Sequence, residues 1–139
     1  MSIFINMKFL DILSENTNIS FKNKCNITII NSEGEEITID CEIPKTQEEK
    51  SIGLMYRDNL CDNCGMFYDE VNGGFWMKNV KFPIDMVFCK NNVIVDIKKA
   101  LPNDPTIISP SEDSDWNLEV NEGFCEKNNI SLGNKIYKS

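Results

Sequence analysis

Histidine is absent from all 139 residues. Its absence removes Ser-His and Cys-His nucleophile pairs and every His-ligated metal site. Acid–base chemistry in this chain therefore falls to carboxylates, lysine, tyrosine or thiols. Positive charge is scarce too: 14 Lys and Arg stand against 22 Asp and Glu, a net charge of −8. Nucleic-acid affinity comes mostly from Lys and Arg on phosphates, so no nucleic-acid partner is expected. Long apolar runs are missing. Met1 to Leu13 is apolar in patches, interrupted by Asn6, Lys8 and Asp11 and followed by no small-residue cleavage site. It reads as neither signal peptide nor membrane span, so the chain is expected to be cytoplasmic with no membrane partner. In a reducing compartment the six cysteines are expected to be thiols. There is no internal repeat, no βαβ alternation and no Gly-rich phosphate loop.

What is present fits a single ordinary core: 41% of the residues are hydrophobic, and the length suits one domain. The expected division is an N-terminal extension over residues 1–23, with a strand or a short helix from Met7 to Leu13, and a β-rich domain over residues 24–139. Cys25, Ile27 and Ile29 alternate with polar residues, as do Ile37, Ile39 and Cys41. A turn at Ser32-Glu33-Gly34 would pair them as a hairpin, Ile29 facing Ile37, Ile27 facing Ile39 and Cys25 facing Cys41. Thr46-Gln47-Glu48-Glu49 is a capping-box pattern that opens a short helix ended by Gly53. Cys61 to Gly65 reads as a tight turn and Met66-Phe67-Tyr68 as a short strand. Asn91-Asn92 joins a second hairpin, Met86–Lys90 with Val93–Lys98. Leu101 to Asp115 is the longest loop. Trp116 to Val120 is a strand, Asn121 a cap for a short helix through Asn128, and Gly133 to Tyr137 a last strand. The fold class expected is mainly β: a small barrel-like or sandwich-like domain of short antiparallel strands with two or three short helices.

The stretch from Gly73 to Cys89 sets Lys78, Asn79 and Asp85 among Phe75, Trp76, Met77, Phe82, Met86 and Phe88. Polar groups in such surroundings must find partners or stay wet, and local rules tend to break where function demands it. Pro83 should split the stretch into two strands. In the first, Trp76 and Lys78 fall on one face and Phe75, Met77 and Asn79 on the other. Lys78 and Asp85, with Glu119, would converge in a pocket floored by Trp76 and Met55. A lysine beside an aromatic wall can bind an anionic group, and a desolvated one can be tuned for chemistry. The plain structural alternative is a Lys–carboxylate pair with Asn79 pinning a turn.

Five motifs in order carry a resemblance: Gly53-Leu54-Met55-Tyr56-Arg57, Gly65-Met66-Phe67-Tyr68, Phe75-Trp76-Met77-Lys78-Asn79, Pro83-Ile84-Asp85 and Leu118-Glu119-Val120-Asn121-Glu122-Gly123. In that order and spacing the chain resembles the family called domain of unknown function 192, over about residues 24 to 138. The resemblance implies a compact, mainly β, barrel-like domain and no established activity. Two departures stand out: Gly133-Asn134, where the family usually has Gly-Asp, and Cys61-x-x-Cys64 in the turn before Gly65.

That Cys-x-x-Cys would need two more ligands for zinc, and the other four cysteines are dispersed. No metal and no cofactor are expected. Cys25, Cys41 and the methionines Met55, Met66, Met77 and Met86 read as core filling. The functional expectation is a binding module for a small molecule or peptide, its pocket built from Met55, Trp76, Lys78, Asn79, Asp85 and Glu119. The alternatives are an enzyme using Lys78 with Asp85 or Glu119 as acid and base, and an interaction protein without pocket chemistry.

Overall fold

The computed structural model describes residues 19–139. The expectation for Met7 to Leu13 lies outside those residues. Seven strands close a barrel in the order β1-β2-β3-β6-β4-β5-β7. They are β1 Lys24–Ile30, β2 Glu36–Glu42, β3 Cys64–Tyr68, β4 Ile84–Lys90, β5 Val93–Ala100, β6 Trp116–Asn121 and β7 Lys135–Lys138. Two short helices, α1 Gln47–Ile52 and α2 Phe124–Lys127, interrupt the series.

The β1–β2 hairpin has the register that its alternation dictates: Cys25 faces Cys41, Ile27 faces Ile39 and Ile29 faces Ile37. Gly34 supplies the left-handed turn residue at φ 80°, a conformation that costs glycine nothing. Ile27, Ile29, Ile39 and Cys41 are buried, whereas Ile37 and Cys25 are half-buried. Ile29 also faces Ile136 of β7, which closes the barrel. The strands are not all antiparallel, however, because β2 and β3 run parallel. A parallel pair needs a crossover connection, and the segment carrying α1 provides it.

The strands bury both faces unequally. One apolar cluster draws on all seven strands, through Ile27, Ile39, Phe67, Val87, Ile94, Leu118 and Ile136, and fills the barrel. The second packs Met66, Tyr68, Ile84, Met86, Phe88 and Ala100 of three strands against Ile52, Leu54, Met55, Phe75, Met77 and Val80. So the segment from α1 to Arg57 and the segment from Phe75 to Val80 cover the outside of β3, β4 and β5. Among the described residues no helix is long and apolar enough to cross a membrane.

Three local expectations need correction. Residues 75–79 are not a strand: Phe75 makes one isolated bridge to Ile108, and the backbone turns at Asn79 with φ 61°. Phe75, Met77 and Val80 all bury against the outer sheet face, and the N–H groups of Phe75 and Met77 donate to Ile108 and Asp104 of the long loop. A strap bonded to a loop meets its backbone requirements without a ladder. Asn121 ends β6 and donates to the carbonyl of Leu60; Gly123 occupies the cap position of α2, which stops at Lys127. Finally, Cys61 and Cys64 form a disulfide, where free thiols were expected from compartment alone. The turn between them is closed by the Cys64 N–H on the Cys61 carbonyl, with Asn63 at φ 56°. It brings the two Cα atoms to 5.2 Å, inside the range that a disulfide requires.

Candidate functional site

β6 places Glu119 directly opposite Met66 of β3 and Met86 of β4. Cross-strand partners share a face, and both methionines are fully buried in the outer cluster. Glu119 therefore points under the covering strap, where it is 5% exposed. No side-chain hydrogen bond reaches its carboxyl from the described residues, and burial pushes its pKa up to about 8. Ionising there would put an unpaired charge in an apolar place, so the proton stays on.

The carboxyl shares a cavity of about 20 Å³ with Met55, Tyr68, Phe75, Trp76 and Met77. That is enough for about one water or one small oxygen-bearing group. The Trp76 Nε1 is buried without a partner. The Tyr68 hydroxyl is held protonated well past its ordinary range, chiefly by burial and then, once Glu119 ionises at higher pH, by that neighbouring charge. Three neutral polar groups thus sit together under an apolar cover. Tyr68 and Phe75 also line a groove of about 230 Å³, together with Gln47, Lys50, Glu70, Asn72 and Gly74.

α1 fixes the rim. Thr46 accepts from the Glu49 N–H, and the Glu49 carboxylate accepts from the Thr46 N–H, which is the reciprocal cap that the sequence spells. The helix ends at Gly53, at φ 48° and ψ −117°. A side chain there would overlap the Tyr68 hydroxyl, so glycine lets Tyr68 approach the backbone. Beyond it, the Arg57 guanidinium grips Glu42 with two bonds, Nη1 to Oε2 at 2.6 Å and Nη2 to Oε1 at 3.0 Å. Arg57 also lies over the Phe21 ring, 5.0 Å from its centroid. Burial alone would raise the Glu42 pKa; Arg57 and the Phe21 N–H outweigh it and hold the carboxyl below its ordinary value.

The six residues singled out in the sequence divide. Met55, Trp76 and Glu119 line one cavity. Lys78 is exposed, its ammonium 5.4 Å from the Trp76 ring centroid. Asn79 donates to the Tyr56 hydroxyl and its carbonyl accepts from the Tyr56 N–H, so it pins the turn. Asp85 faces Val120, a residue of the barrel-filling cluster, and accepts from the Cys125 N–H at 3.2 Å. Lys78 and Asp85 make no ion pair. The expected alternation holds as far as Lys78, with Phe75 and Met77 buried together and Lys78 over Trp76, but the strap then turns at Asn79 and does not bring Lys78 to Asp85. Tyr68 and Arg57 were not singled out. The signal was available: each lies inside a quoted motif, and Arg57 is the only arginine in the chain.

The family model for domain of unknown function 192, described as an uncharacterized ACR, matches residues 28–137. A solved structure from Sinorhizobium meliloti 1021, described as a candidate transcription regulator, is 26% identical with a TM-score of 0.79, over 87% of this chain and 98% of that one. A protein of unknown function from Novosphingobium aromaticivorans DSM 12444 is 27% identical with a TM-score of 0.75, over 82% and 84%. Among curated proteins no relative matches.

Proposed function

The chain belongs to the family called domain of unknown function 192, and from that premise we propose that it is a binding module for a small neutral ligand. The ligand lies in the groove beside Tyr68 and Phe75 and inserts one oxygen-bearing group, a carbonyl or hydroxyl, into the cavity under the strap. The observation that carries this reading is the buried Trp76 indole N–H without a partner, beside a Glu119 carboxyl that is only 5% exposed and that no side-chain hydrogen bond from the described residues reaches. Buried polar groups without partners are rare, and each asks for a ligand or a water. Protonated Glu119 can donate and accept, whereas the indole only donates, so the pair suits a neutral acceptor better than a cation. Lys78 rims the site over Trp76.

A catalytic reading rests on one feature, the raised pKa of Glu119, which would let it exchange a proton near neutral pH. The variant of that reading that needs Lys78 with Asp85 has no contact to support it. A nucleic-acid role, which the description of the Sinorhizobium protein would suggest, runs against the net charge of −8.

The test is an amide and indole NMR screen of the full chain against small neutral carbonyl and hydroxyl compounds. Trp116→Phe identifies the Trp76 indole signal. Binding should shift that signal and the Gly53 amide, and Glu119→Leu should abolish both shifts. Hits that move only signals far from Tyr68 and Trp76 would contradict the proposal.

A further inference from the structure

The Cys61–Cys64 disulfide closes the turn that enters β3, and bonds that involve no sulfur already fix that turn. The Cys64 N–H donates to the Cys61 carbonyl at 3.1 Å, and the Asp40 N–H of β2 donates to the Asn63 carbonyl at 2.9 Å. The Asn121 side-chain amide of β6 donates to the carbonyls of Leu60, at 2.8 Å, and Cys61, at 3.4 Å. The parallel pairing then sets Cys64 beside Asp40 and Gly65 beside Cys41. A cross-link takes more chain entropy from the unfolded state the longer the loop it closes, and this one joins residues three positions apart. It therefore adds little to a turn that is held without it. The two sulfurs are unequally placed. Cys61 is exposed and lines two open grooves, of about 620 Å³ and about 310 Å³. Cys64 lines the first of these but is half-buried, packed against the outer apolar cluster. Exposed disulfides are the more readily reduced ones.

We propose that Cys61–Cys64 is a redox-active pair that exchanges with a small-molecule thiol, Cys61 being the sulfur attacked. The small-molecule thiolate, the reactive species, attacks the Cys61 sulfur; the Cys61–Cys64 bond breaks and Cys64 leaves as thiolate. A second small-molecule thiolate attacks the small-molecule sulfur of the mixed disulfide and releases Cys61 as thiolate. Two small thiols are thereby oxidised to one small disulfide, their two electrons reduce the protein pair, and their two protons end on Cys61 and Cys64. The backbone and Asn121 bonds around the turn keep the reduced sulfurs near each other, so the reverse reaction closes the ring without rearranging the barrel. The buried cysteines stand apart from this chemistry. The Cys41 thiol donates to the Ile39 carbonyl, and burial pushes Cys89 and Cys125 up to about 12.

The test equilibrates the full-length wild-type chain in glutathione buffers of graded ratio, quenches with acid, alkylates, and maps the state of each cysteine by mass spectrometry. Near-ultraviolet circular dichroism is recorded at every ratio. Cys61–Cys64 should pass from disulfide to dithiol within the series, while the aromatic signal of the folded barrel persists. In Cys64→Ser, oxidised glutathione should leave its adduct on Cys61; in Cys61→Ser, Cys64 should take up the adduct far more slowly. The wild-type titration stands even where a variant does not fold. A pair that stays oxidised at every ratio, or that is reduced only together with loss of the aromatic signal, would overturn the proposal and make the disulfide purely structural. Equal uptake by the two folded single variants would overturn the role given to Cys61.

Discussion

At the residue scale, three charged groups that look alike in sequence meet three different fates. Glu119 keeps its proton because its cross-strand neighbours are methionines and no side chain among the described residues pairs with it. Glu119→Gln preserves shape and removes the ionisation. It should leave stability within about 1 kcal/mol at pH 5 and be more stable than wild type near pH 8, as read by urea melts at the two pH values. Arg57 and Glu42 are an enclosed pair, their side chains 7% and 15% exposed. Arg57→Met would strand the Glu42 carboxylate and should cost about 3–5 kcal/mol. Arg57→Met with Glu42→Gln should cost less than the two single changes added together. Lys78 is exposed and, among the described residues, meets only the Trp76 ring, so Lys78→Met should stay within about 1 kcal/mol of wild type. Its effect should add fully to that of Asp85→Asn, because the two residues do not touch.

At the scale of elements, the sequence was readable wherever the local pattern decides the outcome. The hairpin register followed from isoleucines spaced by two, and the first helix from Thr46, Glu49 and Gly53. Gly53→Ala should be clearly destabilising, because it meets both a left-handed backbone and the Tyr68 hydroxyl. Adding Tyr68→Phe should restore part of the loss, the overlap but not the backbone strain, in thermal melts of the four proteins. The strap from Phe75 to Val80 was misread because its residues alternate like a strand. What decides its shape is nonlocal: the long loop offers Ile108 and Asp104 as hydrogen-bond partners, and the outer sheet face takes Phe75, Met77 and Val80 together. The parallel β2–β3 pairing was equally out of reach, since it depends on how a 21-residue connection folds back (residues 43–63). The candidate site inherits both limits. Trp76, Met55 and Glu119 were found as unusual residues, while their meeting with Tyr68, apart from Lys78 and Asp85, depends on the strap and the crossover.

At the scale of the whole molecule, two sets of carboxyls set the pH dependence of stability in opposite directions. Glu42 and Asp96 have lowered values, Asp96 through the Ser111 bonds and Lys98 despite its burial. They stabilise the fold above the ordinary carboxylate range and lose that contribution as pH falls through their folded values. Glu119 has a raised value, so its contribution is complete below the unfolded value near 4.5 and is lost as pH rises to about 8. Across that interval the native state binds the extra proton, and the slope approaches about 1.4 kcal/mol per pH unit. The chain should therefore be most stable on the acid side of neutrality, and Glu119→Gln should flatten the fall between pH 5 and 8. The most direct test of the central claim, a carboxyl kept neutral and unpartnered under the strap, is the ¹³C NMR titration of the Glu119 side-chain carboxyl in the folded protein. The account predicts a midpoint near 8, well above the ordinary glutamate value. A midpoint at or below the ordinary value would mean that Glu119 is ionised and partnered at neutral pH, and the proposed binding site would fall with it.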